Sequence, residues 1–226
     1  MTHSIKEPQE LQSIYERRFD RMLNYRLKVW QILVSDFFQG YVSSDAVVLD
    51  LGCGYGEFIN HIRCAKRFAM DLNPRSPAHL AKDVEFLAQD CSQYWAIPDA
   101  SLDVVFTSNF FEHLPDKLAL KKTLLEAARC LKPGGQLIAM GPNIKYVQGE
   151  YWDFWDHFLS LTEMSLGEAL ENNGYTVTQS IKRFLPYSMV GRPQFPAKLI
   201  RLYLRLPMVW RFCGKQFLVV AQRNAA

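Results

Sequence analysis

The stretch Ala46-Val-Val-Leu-Asp-Leu-Gly-Cys-Gly-Tyr-Gly-Glu-Phe58 decides the reading of this chain. Its apolar, mostly branched first half has the pattern of a strand buried on both faces. Its second half places Gly52, Gly54 and Gly56 at alternate positions, where a strand turns sharply. Glycine tolerates positive φ and has no Cβ, so backbone there can approach a ligand closely. The next residues, Glu57–Arg63, place Phe58 and Ile62 four apart and predict a helix. A helix start beside such a turn offers N–H donors to a polar group. A dinucleotide fingerprint, G-x-G-x-x-G, would need its third glycine at position 57, which is Glu57.

The pattern Asp50-x-Gly-x-Gly-x-Gly56 resembles the first motif of class I S-adenosylmethionine (SAM) dependent methyltransferases, in the type 11 and type 12 small-molecule branch. SAM carries an ammonium and no pyrophosphate, so an acid near the loop suits it better than a third close-packed glycine. The resemblance implies an α/β, Rossmann-like doubly wound sheet of seven strands, mostly parallel with an antiparallel closing strand and helices on both faces. It also implies SAM as cofactor, with Asp50, Gly52, Cys53, Gly54 and Gly56 around it.

Outward from the turn, Arg67–Pro74 is a second apolar run ending in an acid. Asp71 follows Asp50 by 21 residues, near the roughly 20-residue interval of an acid that binds ribose hydroxyls. Its two oxygens can accept from both hydroxyls at once, with Leu72 beside them. A third strand is expected to end at Asp90, beside Cys91, where the family's acid meets the adenine amino group. A fourth strand begins near Asp103 and runs into Asn109, Phe110 and the Glu112–His113 dipeptide, again as in the family. Asp116–Leu131 reads as a helix, followed by Leu-Lys-Pro-Gly-Gly135 and a fifth strand over Gln136–Asn143. The repeated strand–helix–strand rhythm predicts a parallel sheet with ligands at its carboxyl edge.

Ahead of the sheet, residues 8–40 have helical periodicity closed by Gly40, and include Leu23, Arg26, Leu27 and Trp30. In many enzymes of the family such a helix lies over the cofactor, which would put Tyr15 and Arg18 near the SAM carboxylate. The same pattern also fits an amphipathic cover helix with solvated arginines. After 144 comes an aromatic loop with Tyr146, Tyr151, Trp152, Phe154, Trp155, His157 and Phe158. It can wall an acceptor or form core under a lid. A helix over Thr162–Asn173, a sixth strand over Tyr175–Phe184, a basic amphipathic helix over Lys198–Leu206 and a closing strand over Gly214–Gln222 complete one domain.

A sulfonium methyl is already activated, so the protein must align a nucleophile and exclude water. An alcohol acceptor also needs a base. His157 and His113 are the candidates, with Glu112 orienting His113 and His157 preferred as base. His3, His61 and His79 have no constellation around them. The five cysteines are scattered with no C-x-x-C pair, so no metal site is expected and the thiols read as reduced. No apolar signal core begins the chain and no run is long enough to span a membrane, which predicts a cytoplasmic protein.

Charge is unevenly spread. Residues 1–171 hold 17 basic and 23 acidic side chains, while residues 172–226 hold nine basic and no acidic ones. That tail predicts attraction to an anionic acceptor or a membrane surface, or else a solvated face. Nucleic acid is disfavoured because aromatic and basic residues are segregated. The expected activity is methyl transfer from SAM to oxygen or nitrogen of a small-molecule or glycan- or lipid-linked acceptor. The alternative is a non-catalytic SAM-fold binding module.

Overall fold

The apolar run before the glycines forms β1 (Val47–Leu51), paired in parallel with β2 (Lys66–Met70) and β4 (Leu102–Ser108). The computed structural model describes residues 22–187 and 193–225. Beside these strands lie β3 (Val84–Leu87), β5 (Leu131–Pro142), β6 (Tyr175–Ile181) and β7 (Gln216–Arg223), in the sheet order β3-β2-β1-β4-β5-β7-β6. β7 inserts between β5 and β6 and is antiparallel to both. The expected fold class is the one observed. The order reverses between β1 and β4, so a crevice opens beyond their carboxyl ends.

The central strands bury alternate side chains in two separate layers. On one face Leu49, Leu51, Val105, Leu137 and Ala139 pack with Leu120 and Leu124 of α2 (Lys117–Cys130) and Leu166 and Leu170 of α4 (Glu163–Glu171). On the other, Val48, Val104, Phe106, Ile138 and Met140 meet Val29 and Leu33 of α1 (Leu23–Asp36), Leu204 of α5 (Ala197–Leu204) and Trp210 of α6 (Pro207–Cys213). Burying one such side chain is worth roughly 1.5–3 kcal/mol, so these layers outweigh helix propensity. Asp116 caps α2 by accepting from the Ala119 N–H at 2.8 Å. Thr162 and Ser165 cap α4 reciprocally. A single turn, α3 (Ile144–Val147), follows β5. Among the described residues no helix is long and apolar enough to cross a membrane.

The rhythm of crossovers differs from expectation. The helix expected over Glu57–Arg63 is a series of turns, with Gly56 N–H bonded to Cys53 O at 2.8 Å and Ile62 N–H to Phe58 O at 3.1 Å. Gly52, Gly54 and Gly56 all hold positive φ, which leaves too few residues before β2 for a cooperative helix. Phe58 and Ile62 are nevertheless buried, as their spacing implied. The β2–β3 link holds only a 3₁₀ turn, Ser76–His79. β3 stops at Leu87 rather than Asp90 because its neighbour β2 ends at the facing Met70.

Other boundaries move for local reasons. β5 starts at Leu131 because Lys132–Gly135 bulge out between the pairs Leu102–Leu131 and Val104–Gln136. β6 ends at Ile181, its last partner on β7. The basic helix ends at Leu204, and Pro207 opens α6. Gly40 lies in a 3₁₀ turn, Phe38–Tyr41, after α1.

Candidate active site

A cavity of about 550 Å³ opens at the carboxyl ends of β1 and β4. Asp50, Gly52, Cys53 and Gly54 line one end, and Asn109, Glu112, His113 and His157 line a second wall. Val29, Leu33, Leu185, Phe195, Leu199 and Tyr203 supply an apolar remainder. The structure thus gathers eight of the residues singled out from the sequence around one space.

The glycine turn is held from behind. Gly52 and Cys53 both donate to Met70 O, at 2.9 and 3.1 Å. Asp71 Oδ2 accepts the Gly54 N–H at 2.8 Å, and Oδ1 accepts the Asn73 N–H at 2.8 Å. A Cβ on Gly52 would stand 2.3 Å from the Phe110 ring, and its φ of +71° already favours glycine. Phe110 therefore packs on the turn. Burial pushes the Asp71 carboxyl up, against the lowering effect of its backbone donors.

Asp50 is buried, and the Ile59 backbone favours its charged form. Desolvation holds its pKa well above the usual carboxylate value, and the charges of Glu57 and Asp71 add to this. Glu57 is also buried and is gripped by Arg26, through Nη2 at 2.6 Å and Nε at 3.0 Å. Both line the cavity next to Asp50. In the sequence Glu57 stands out as the start of the expected helix and as the residue that rules out a dinucleotide turn, and Arg26 as part of a helical pattern. One signal was available: Met22, Arg26 and Trp30 share one helical face, and a charge inside that stripe needs a partner. Tyr15 and Arg18, expected in this role, lie outside the described residues.

Asn109 ends β4 with a φ of +50°, held by its N–H on Met140 O at 2.8 Å. Asparagine is among the few non-glycine residues that adopt this region readily. Next to it Glu112 and His113 sit on a 3₁₀ turn, Phe111–His113. Glu112 O accepts the N–H groups of Phe158 at 2.8 Å and Leu159 at 3.1 Å, which ties the aromatic loop to this turn. His113 Nδ1 lies 2.8 Å from Asp156 O and 3.2 Å from Asp156 Oδ2. His157 is buried, with Nδ1 2.9 Å from Tyr151 O, and its ring centre is 5.0 Å from that of His113. Of the loop's aromatics, Phe154 stacks on His157 at 5.0 Å and Tyr151 sits at 4.6 Å, while Trp152 and Trp155 are exposed.

Six expected cofactor residues lie off this cavity: Gly56, Asp71, Leu72, Asp90, Cys91 and Phe110. Asp71, Phe110 and Gly56 form the frame of the turn. Leu72 and Asp90 are exposed, and Asp90 Oδ1 accepts from Ser92 N–H and Oγ at 2.8 and 2.9 Å. The Cys91 thiol packs in the core, where it accepts from Thr123 Oγ1 at 3.3 Å and burial pushes its pKa to about 12. His61 and His79 stand apart, the first on Glu57 O and the second stacked on Tyr55.

A parallel sheet with one antiparallel closing strand and a three-glycine turn at its switch point defines the Rossmann-like methyltransferase architecture. The chain belongs to the methyltransferase-domain family, whose model matches residues 22–180. S-adenosylmethionine is the cofactor this family implies. A 2-methyl-6-phytyl-1,4-hydroquinone methyltransferase of Synechocystis is 30% identical over 117 residues, 48% of this chain and 36% of that one. A Mycobacterium tuberculosis protein described as a probable S-adenosylmethionine-dependent methyltransferase is 34% identical over 101 residues, 42% of this chain and 35% of that one. The matched part thus spans about a third of those relatives' length. Among solved structures, a Haloferax volcanii methyltransferase in complex with the Trm112 methyltransferase activator superposes with a TM-score of 0.70 at 20% identity, covering 95% of this chain and 98% of that one. A SAM-dependent methyltransferase from Archaeoglobus fulgidus gives 0.61 at 18% identity, covering 97% and 96%. These two likenesses concern the fold.

Proposed function

We propose that the chain transfers a methyl group from SAM to a hydroxyl oxygen of an apolar, lipid-linked acceptor. The observation that carries this is a single cavity with two chemically distinct ends joined by apolar walls. At the first end a buried acid, Asp50, and a guanidinium, Arg26, lie beside the glycine turn. That donor set fits an amino acid: the carboxylate of Asp50 suits the ammonium and Arg26 suits the carboxylate. Asp71, Leu72 and Asp90 lie along the carboxyl edge, as a ribose and an adenine require. Bound SAM supplies an electrophilic methyl, and the residues around it hold the acceptor in line and keep water out.

At the other end His157 handles the acceptor's proton. A carbonyl oxygen only accepts, so the contact with Tyr151 O puts a hydrogen on Nδ1, and the neutral ring then carries its lone pair on Nε2. Nε2 is then the base, and His113 and Glu112 support that wall. A hydroquinone is the acceptor named for the Synechocystis relative. A ring hydroxyl on a long apolar tail matches a cavity lined by Leu33, Leu185, Leu199 and Tyr203. The basic, apolar surface of α5 and α6 would rest on an anionic membrane from which such an acceptor comes.

The test is formation of S-adenosylhomocysteine with prenylated phenols and hydroquinones, followed by mass spectrometry. Product carrying one added methyl at oxygen is the expected result. SAM binding without turnover on any hydroxyl acceptor would favour the binding-module reading.

A further inference from the structure

The acceptor wall holds a cluster whose donor chemistry goes beyond proton transfer. Glu112, His113 and His157 come from the turn after β4 and the loop after β5, 44 residues apart at the two histidines. One nitrogen or oxygen from each lies within 4.8 Å of the others. We propose that these three side chains bind a divalent first-row transition-metal ion, zinc or a neighbour in the series, beside the acceptor.

The ring orientations support this. His157 directs Nδ1 at Tyr151 O, 2.9 Å away, and His113 directs Nδ1 at Asp156 O, 2.8 Å away. Both acceptors are carbonyls, so both rings carry hydrogen on Nδ1, which in the neutral imidazole puts the lone pair on Nε2. The Asp156 carboxylate, 3.2 Å from the same His113 nitrogen, completes a carboxylate–histidine pair. This is the arrangement that orients histidine ligands behind metal ions. Two imidazoles and one carboxylate suit zinc, iron or cobalt rather than magnesium or calcium. Ligand atoms around zinc at bonds of 2.0–2.2 Å stand about 3.4 Å apart. The cluster must therefore close by up to about 1.4 Å at its widest pair.

Three protein ligands leave a coordination position facing the cavity, as in catalytic rather than structural zinc sites. What the ion does there rests on reading the cavity as the acceptor site; its binding does not. An acceptor hydroxyl at the open position would be acidified, its proton leaving to water and its oxygen keeping the electron pair for the methyl carbon. In that form His157 Nε2 holds the ion, and the acceptor needs no imidazole base.

Chelator-stripped, reduced protein is titrated with Zn²⁺ by calorimetry and with Co²⁺ by visible absorption, with SAM affinity measured on the same samples. One equivalent per chain with micromolar or tighter affinity is expected. His113→Asn and His157→Gln should each weaken it at least tenfold, and Asp156→Asn by about tenfold. His113 is half-buried, so its variant is a fair test should the buried His157 variant not fold. Absence of saturable one-to-one binding overturns the proposal, as does equal affinity in folded His113→Asn. A sulfur-to-cobalt charge-transfer band would place the ion on cysteine and overturn it too. Methyl transfer by protein in which neither titration finds metal binding sinks this inference and leaves the acceptor reading intact. Metal binding at this cluster in a chain with no SAM affinity would do the reverse.

Discussion

Asp71, at the end of β2, accepts the backbone N–H of Gly54 at 2.8 Å and so clamps the glycine turn from the neighbouring strand. Its second oxygen holds the Asn73 N–H. An ionised carboxylate has about four lone-pair sites, so two backbone donors leave capacity for ribose hydroxyls. The same side chain that fixes the loop's shape is thus the one read as a cofactor acceptor.

Asp71→Ala is therefore expected to act twice. It should weaken SAM binding by on the order of 2–3 kcal/mol, the scale of hydrogen bonds to a charged group. It should also lower the melting temperature, because Gly54 and Asn73 lose their acceptor. Asp71→Asn, which keeps one oxygen, should recover part of the stability. Calorimetry giving wild-type SAM affinity in the alanine variant would sink the assignment.

Asp50 sets stability against binding. Its folded-state pKa is raised well above the ordinary 3.8, chiefly by burial. Below the unfolded value both states are protonated and the residue costs nothing. As pH rises through that value the unfolded chain ionises while the folded one resists, so stability falls until pH passes the folded pKa. Asp50→Asn removes this cost. The variant should melt a few degrees higher than wild type at pH 7.5, with the difference largely gone at pH 4. Its SAM affinity should drop at least tenfold as the ammonium loses its counter-charge. Thermal melts at the two pH values check the first claim, and an asparagine variant less stable at pH 7.5 contradicts it.

What the sequence disclosed and what it hid divide by range. The β1 strand and its turn were readable because burial on both faces and alternate glycines are local patterns. The helix starts near Asp116 and Thr162 were readable for the same reason. The Glu57–Arg63 segment misled because Phe58 and Ile62 bury at helical spacing even in consecutive turns. Arg26 and Glu57 meet across 31 residues, and His113 and Asp156 across 43. No periodicity reports such pairs. The cavity's donor chemistry was therefore visible as candidate residues but not as partnerships.

His157 Nε2 is the proposed proton acceptor in the metal-free enzyme. His157→Ala should lower kcat roughly 10²–10⁴-fold on a hydroxyl acceptor, with SAM affinity unaltered. The ring also packs between Tyr151 and Phe154. His157→Gln, which keeps volume, separates lost packing from lost basicity: it should be as slow as the alanine variant but more stable. Full activity of either variant on the true acceptor would mean another base or none.

The basic tail is less uniform in the structure than in the sequence. Arg201 pairs with Asp36 at 3.2 Å and Lys215 with Glu150 at 2.5 Å, while Arg183 donates to the carbonyls of Gly214 and Phe212. Acids from other parts of the chain thus neutralise some of it. Lys198, Arg205 and Arg211 remain exposed on α5 and α6, among the exposed Leu199, Leu202, Leu206, Met208 and Phe212. The leucine face of α5 is not packed into the domain; Leu204 is its buried side chain. Leu199, Leu202 and Leu206 also line the cavity, so this surface forms its rim. A cation near an anionic bilayer adds about 1 kcal/mol, and the apolar neighbours add area. Arg201→Glu would set two acids against each other at Asp36, so the informative variant is Lys198→Glu/Arg205→Glu. Vesicles rich in anionic lipid should co-sediment the wild-type chain at low salt and release it at high salt. The double variant should bind at least tenfold more weakly and turn over a vesicle-embedded acceptor more slowly, with its rate on a detergent-dispersed acceptor nearer to wild type. Salt-independent binding, or none in the wild-type protein, would reduce this surface to a solvated face.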